Sequence, residues 1–135
     1  MEQLTVEATR SSPNVRFDPE TGILEIGGES YPENSHEFFS PLIEWIDEFL
    51  RERNTKAVFR VTLTYMNTSS TKYIMDILDR LEAAHEAGQD AAVEWYCDEE
   101  NERTSDTVEE LREDFSMPFA VLPEGHRSQG PAERG

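Results

Sequence analysis

The sequence predicts an α/β fold, α+β-like in opening with antiparallel strands: a single domain with a mixed β-sheet and helices packed mainly on one face. Three observations lead there. Strand segments alternate apolar and polar residues, so each strand covers one face and leaves the other partly wet. Strand–helix–strand units recur from Ala57 onward, which implies right-handed parallel crossovers. Before them, two short strands flank a turn of hairpin chemistry, which adds antiparallel pairing.

Leu4 to Ala8 alternates and is expected to be a strand. Asn14 to Asp18 and Ile23 to Ile26 flank Asp18-Pro19-Glu20-Thr21-Gly22, where Pro presets one backbone angle and Gly supplies a positive one. Gly27-Gly28 is expected to end the second strand. It lacks the spaced glycines and Lys of a phosphate-binding loop. Asn34 caps the first helix with Glu37 three residues on, a variant capping box. Phe38, Phe39, Leu42, Ile43, Trp45, Ile46, Phe49 and Leu50 then recur at helical spacing. Pro41 is expected in the early turns, where its missing N–H costs least.

In the next strand Phe59, Val61, Leu63 and Tyr65 are expected to point one way, with Arg60, Thr62 and Thr64 on the other face. A second helix follows from about Ser70 to about Ala87, with Ile74, Ile77, Leu78, Leu81 and Ala84 inward and Gly88 as its stop. Ala91 to Cys97 reads as a strand. Residues 98–106 read as an acidic loop, and a third helix runs from about Ser105 to Phe115 with Val108, Leu111 and Phe115 inward. Phe119 to Leu122 forms a short last strand. The expected domain covers residues 1–122, and 123–135 form an expected disordered tail.

The chain has 135 residues, enough for one domain with a sizeable core. Its 29 acidic and 12 basic residues give a net charge of -17, which argues against nucleic acid and against an anionic membrane surface as partners. It permits basic protein partners. One cysteine, Cys97, allows no intramolecular disulfide and fits a reducing compartment, read here as the cytoplasm. The opening residues lack the basic-then-apolar run of a signal peptide, so none is expected, and no apolar run reaches bilayer length. His36, His85 and His126 have no metal-ligand spacing with one another or with Cys97. No nucleophile elbow or dinucleotide fingerprint occurs, so neither an enzyme nor a cofactor is expected.

The segment Asn67-Thr68-Ser69-Ser70-Thr71 is the most informative. It places four hydroxyls between the carboxyl end of a strand and the amino end of a helix, where an anion such as a phosphate is accommodated. The same residues also suit an ordinary helix cap, with Ser69 or Ser70 as the capping residue. Both readings stand together if one hydroxyl caps while Thr68 stays exposed.

Two further sets of residues carry a family likeness. One is Gly28-Glu29-Ser30-Tyr31-Pro32-Glu33-Asn34 together with Leu63-Thr64-Tyr65-Met66-Asn67-Thr68-Ser69-Ser70, Lys72 and Met75-Asp76. The other is Trp95-Tyr96-Cys97-Asp98 with Asn101-Glu102-Arg103 and Arg112-Glu113-Asp114-Phe115. In these the chain resembles the SiaC family of bacterial regulatory phosphoproteins, over about residues 4–122. The resemblance implies a STAS-like fold, similar to anti-sigma factor antagonists, and no catalysis. It implies phosphorylation at Thr68 by a Ser/Thr protein kinase of the histidine-kinase-like ATPase fold, reversed by a PP2C-type phosphatase. It also implies that the unphosphorylated form binds and activates a diguanylate cyclase in cyclic-di-GMP and biofilm signalling, through a surface including Asn67, Ser69, Ser70, Thr71 and Lys72. The alternative is an anti-sigma factor antagonist acting on an anti-sigma kinase in a partner-switching system.

Overall fold

The computed structural model describes residues 1–52, 55–98 and 102–123. Its elements are β1 (Leu4–Val6), β2 (Asn14–Asp18), β3 (Ile23–Ser30), α1 (Ser35–Glu52), β4 (Ala57–Met66), α2 (Thr68–Glu86), β5 (Ala91–Cys97), α3 (Glu102–Arg112) and β6 (Phe119–Pro123). The six strands form one sheet in sequence order. β1, β2 and β3 pair antiparallel, and β3 to β6 pair parallel, so the expected mixed sheet is present. The expected tail lies outside the described residues except for Pro123, which closes β6.

One face of the sheet carries the core. Phe17, Leu24, Ile26, Phe59, Val61 and Trp95 are fully buried there and form a single cluster with α1, α2 and Val108 of α3. Each such side chain contributes about 1.5–3 kcal/mol on leaving water. α1 buries Phe39, Leu42, Ile43, Ile46 and Phe49, and α2 buries Ile74, Ile77, Leu78, Leu81 and Ala84, as their spacing requires. The helices are joined by Arg80, which donates to Asp47 of α1 and to Asp76 of its own helix. The hydrogen bond to Asp47 leads in raising the Arg80 pKa.

The opposite face is polar. Arg60 of β4 donates to Glu94 of β5 at 3.1 Å and to Glu25 of β3 at 3.4 Å. Burial alone would lower the pKa of Arg60, but these two carboxylates and Tyr96 outweigh it and raise it.

Several boundaries differ from expectation. β3 does not stop at Gly27-Gly28 but continues to Ser30. A Cβ on Gly27 would lie 2.1 Å from Thr62 Oγ1, so glycine here admits the neighbouring strand. Gly28 has φ +96° and stands where the β3–β4 register shifts: Gly28 pairs with Leu63, and Glu29 pairs with Tyr65. Thr64 is therefore an extra residue, a β-bulge in β4. Beyond it the alternation changes phase. Met66 packs against the core and Tyr65 turns outward, 53% exposed, against the expected inward direction.

Pro41 is the seventh residue of α1, later than the turn in which its missing N–H is free of cost. It lies on the exposed side, where the unpaired carbonyl one turn back can reach solvent. α2 ends at a left-handed Gly88, whose N–H reaches His85 O while Gln89 N–H reaches Ala84 O. α3 begins at Glu102 and ends at Arg112, three residues earlier than expected at each end, so residues 102–106 are helical rather than loop. Residues 99–101 of the expected acidic loop lie outside the described residues. Phe115 still packs against the core from beyond the helix.

Candidate functional site

β3 and β4 are parallel neighbours that end together, Ser30 opposite Met66. Each hands the chain to a helix, so the N-termini of α1 and α2 lie side by side. Both are capped by asparagine. Asn34 Oδ1 accepts from Glu37 N–H at 3.0 Å, and Asn67 Oδ1 accepts from Ser70 N–H at 2.9 Å. Asn67 has the extended backbone of a capping residue, φ -79° and ψ 176°. It therefore holds the role assigned from sequence to Ser69 or Ser70. Thr68 is the first helical residue rather than one preceding the helix.

The hydroxyls then divide. Ser70, expected on the exposed start of α2, is fully buried, and its Oγ accepts from Ser30 Oγ at 2.7 Å. Ser69 Oγ lies 2.6 Å from Ser35 Oγ, tying the two helix starts together, and 3.4 Å from Asn67 Oδ1. Thr71 Oγ1 donates to Asn67 O at 3.0 Å. Thr68 is exposed and its hydroxyl makes no hydrogen bond among the described residues. The segment thus carries three hydroxyls bound into the helix start and one free at its tip. Asn67 N–H donates to Ser30 O at 3.0 Å, which fixes the turn to β3.

Thr71 and Lys72 are exposed, Asn67 and Ser69 half-buried. Lys72 forms no ion pair among the described residues. Glu29, Glu33 and Glu37, at the end of β3 and the start of α1, are exposed as well. Tyr73 of α2 stacks on Phe39 of α1 with ring centroids 5.2 Å apart, and its hydroxyl lies 3.4 Å from His36 Nδ1.

Three site residues were beyond the reach of the sequence. Ser30 and Ser35 reach Ser70 and Ser69 across 40 and 34 residues of chain, and no local pattern signals that. Tyr65 has a strand alternation that points inward, and only the bulge turns it out. Elsewhere Cys97 is a buried thiol, and His36 and His85 sit on separate helices; His126 lies outside the described residues. No group of three or more potential metal-ligating side chains occurs among the described residues. No helix there is long and apolar enough to cross a membrane.

The comparisons with known proteins agree on one relationship. Residues 6–124 match the family model described as SiaC family regulatory phosphoprotein. An uncharacterized protein of Pseudomonas aeruginosa strain UCBPP-PA14 is 43% identical over 121 residues, covering 90% of this chain and 96% of its own. The crystal structure of apo-SiaC from Pseudomonas aeruginosa superposes with a TM-score of 0.86 at 41% identity, covering 90% of this chain and 99% of that one. The structure of the diguanylate cyclase SiaD in complex with its activator SiaC, from the same organism, gives a TM-score of 0.87 at 42% identity, covering 89% and 98%. The family match over residues 6–124, with 43% identity to a relative covered almost end to end, establishes that this chain belongs to the SiaC family of regulatory phosphoproteins.

Proposed function

We propose that this chain is a non-enzymatic cytoplasmic activator of a diguanylate cyclase, switched by phosphorylation of Thr68. The observation that carries the switch is the division of hydroxyls: Ser69, Ser70 and Thr71 are engaged, whereas Thr68 is exposed and unengaged. Modifying Thr68 breaks no internal bond. The cyclase reading is supported by the family relationship and by the relative that is described as the activator of SiaD.

A phosphate adds about -1.5 to -2 charge. At the first residue of a helix it gains roughly 0.3–1 kcal/mol from the local dipole, so the fold tolerates it. A partner packed over Thr68 must instead exclude or desolvate it. A differential of about 3 kcal/mol weakens association more than a hundredfold. The partner surface in this reading includes Asn67, Ser69, Thr71 and Lys72, with Ser70 supporting it from beneath. A Ser/Thr kinase of the histidine-kinase-like ATPase fold writes the mark and a PP2C-type phosphatase removes it, linking the chain to cyclic-di-GMP and biofilm control.

The test is incubation with the cognate kinase and ATP, followed by site mapping by mass spectrometry. Phosphate on Thr68, absent from Thr68→Ala, is the expected result. Full modification of Thr68→Ala at another residue would refute the assignment. Co-purification of a sigma-regulating kinase in place of a cyclase would favour the anti-sigma antagonist reading.

A further inference from the structure

The bulge at Thr64 produces a feature that the phosphorylation switch does not use. It turns Tyr65 outward at the end of β4, three residues before Thr68. Tyr31, which follows β3, meets it edge-on, with ring centroids 5.8 Å apart and planes at 75°. Large hydrophobic side chains are exposed at three of the described positions: Met1 at the chain start, and these two tyrosines at 36% and 53%. Glu29 is the ladder partner of Tyr65 and is exposed, and Glu33 is exposed two residues past Tyr31. The result is an aromatic pair with the Glu29 carboxylate beside it, on a chain of net charge -17.

That chemistry selects a partner. A tyrosine face attracts a guanidinium or ammonium group, and its carbon body packs on the aliphatic stem of the same side chain. Tyrosine loses little side-chain freedom on binding and is enriched where interfaces carry their energy. The adjacent Glu29 carboxylate completes the match to a cation. We propose that Tyr65 and Tyr31, with Glu29 beside them, anchor an arginine- or lysine-bearing segment of the cyclase. This rests on the cyclase reading given above. It also divides the surface by mechanism. The tyrosine anchor supplies affinity, while Thr68 a few residues away decides whether the partner can close over it. A phosphate dianion attracts a basic segment at long range, so its block must act by displacing packed contact at short range.

The experiment is calorimetric titration of the cognate cyclase with the unphosphorylated full chain and its Tyr65→Ala, Tyr65→Phe, Tyr31→Ala and Glu29→Gln variants, at low and high salt. Tyr65→Ala is expected to weaken binding about thirtyfold and Tyr65→Phe only about threefold, with melting temperatures unchanged. Glu29→Gln is expected to weaken it severalfold at low salt and less at high salt. Phosphorylation of Thr68 by the cognate kinase is expected to proceed at the wild-type rate in Tyr65→Ala. Wild-type binding combined with Tyr65→Ala affinity within about twofold of it would overturn the anchor alone. Slower Thr68 phosphorylation with unchanged cyclase affinity would reassign the tyrosines to the kinase. A change in the sedimentation of the free protein would reassign them to a second copy of this chain. If the wild-type chain fails to bind the cyclase at all, the functional reading falls and the anchor with it.

Discussion

Replacing Asn67, Ser70 and Thr68 singly by alanine separates the structural hydroxyls from the regulatory one. Asn67→Ala removes the acceptor of Ser70 N–H at 2.9 Å and of Ser69 Oγ at 3.4 Å. Loss of such a cap costs about 1 kcal/mol, within a range of about 0.5–2. Ser70→Ala leaves the buried Ser30 hydroxyl without its acceptor, a loss of roughly 1–3 kcal/mol. Thr68→Ala removes no bond, and alanine is the better helix former, so the change should stay within about 0.5 kcal/mol of zero. The entropy of unfolding for a chain of this length is about 0.3 kcal/mol per kelvin, so each 1 kcal/mol moves Tm by about 3–4 °C. Thermal melts followed by circular dichroism on unphosphorylated protein should therefore show Asn67→Ala about 3 °C down and Ser70→Ala about 3–10 °C down, with Thr68→Ala within about 2 °C of wild type. A Thr68→Ala protein that melts as low as Asn67→Ala would refute the reasoning, because Thr68 would then be part of the scaffold.

Two further outcomes probe the frame that holds this site. Gly27→Ala places a Cβ 2.1 Å from Thr62 Oγ1 and should cost about 1–3 kcal/mol in chemical denaturation, with Thr62→Ala in the same chain restoring much of it. Equal loss in the single and double variants would contradict the close-approach explanation. Glu82 accepts from Ser116 N–H, Ser116 Oγ–H and Met117 N–H, fastening the segment before β6 to α2. Its slight burial favours the neutral acid, but these donors outweigh that and hold its pKa below the usual 4.5. The unfolded chain therefore takes up this proton first as pH falls. The stabilisation is complete above about 4.5 and drains away as pH drops through the lower folded value. Urea melts at pH 7 and near pH 3 should show the deficit of Glu82→Gln shrinking at the lower pH; a constant deficit would contradict the assignment.

The parts of the fold visible in the sequence are those set by local periodicity. Phe39, Leu42, Ile46 and Phe49 announce α1, and Ile74, Ile77, Leu78 and Leu81 announce α2, because one buried stripe at helical spacing suffices. The parts that escaped are relations between distant segments. The outward turn of Tyr65 is set by the β3–β4 register, and Gly27-Gly28 looks like a strand end until Thr62 is seen against it. The cap was expected at Ser69 or Ser70, but Asn67, an equally competent capping residue, holds it. The Ser70 hydroxyl is engaged instead by Ser30, 40 residues away. α3 was displaced by three residues because the start of its sequence is acidic with few apolar markers. The candidate site was legible to the extent that its hydroxyls and helix start are contiguous. Which hydroxyl stays free is a fact of the tertiary fold.

The most direct test compares the cyclase affinity of two samples of the same chain, one unmodified and one carrying phosphate at Thr68 alone. The expected result is tight association of the bare form and more than about a hundredfold weaker association of the phosphorylated form, with both samples melting within a few degrees of each other. Equal affinity of the two forms would contradict the switch, and a large drop in the melting temperature of the phosphorylated form would show that the mark acts by disrupting the fold rather than by blocking a preformed surface.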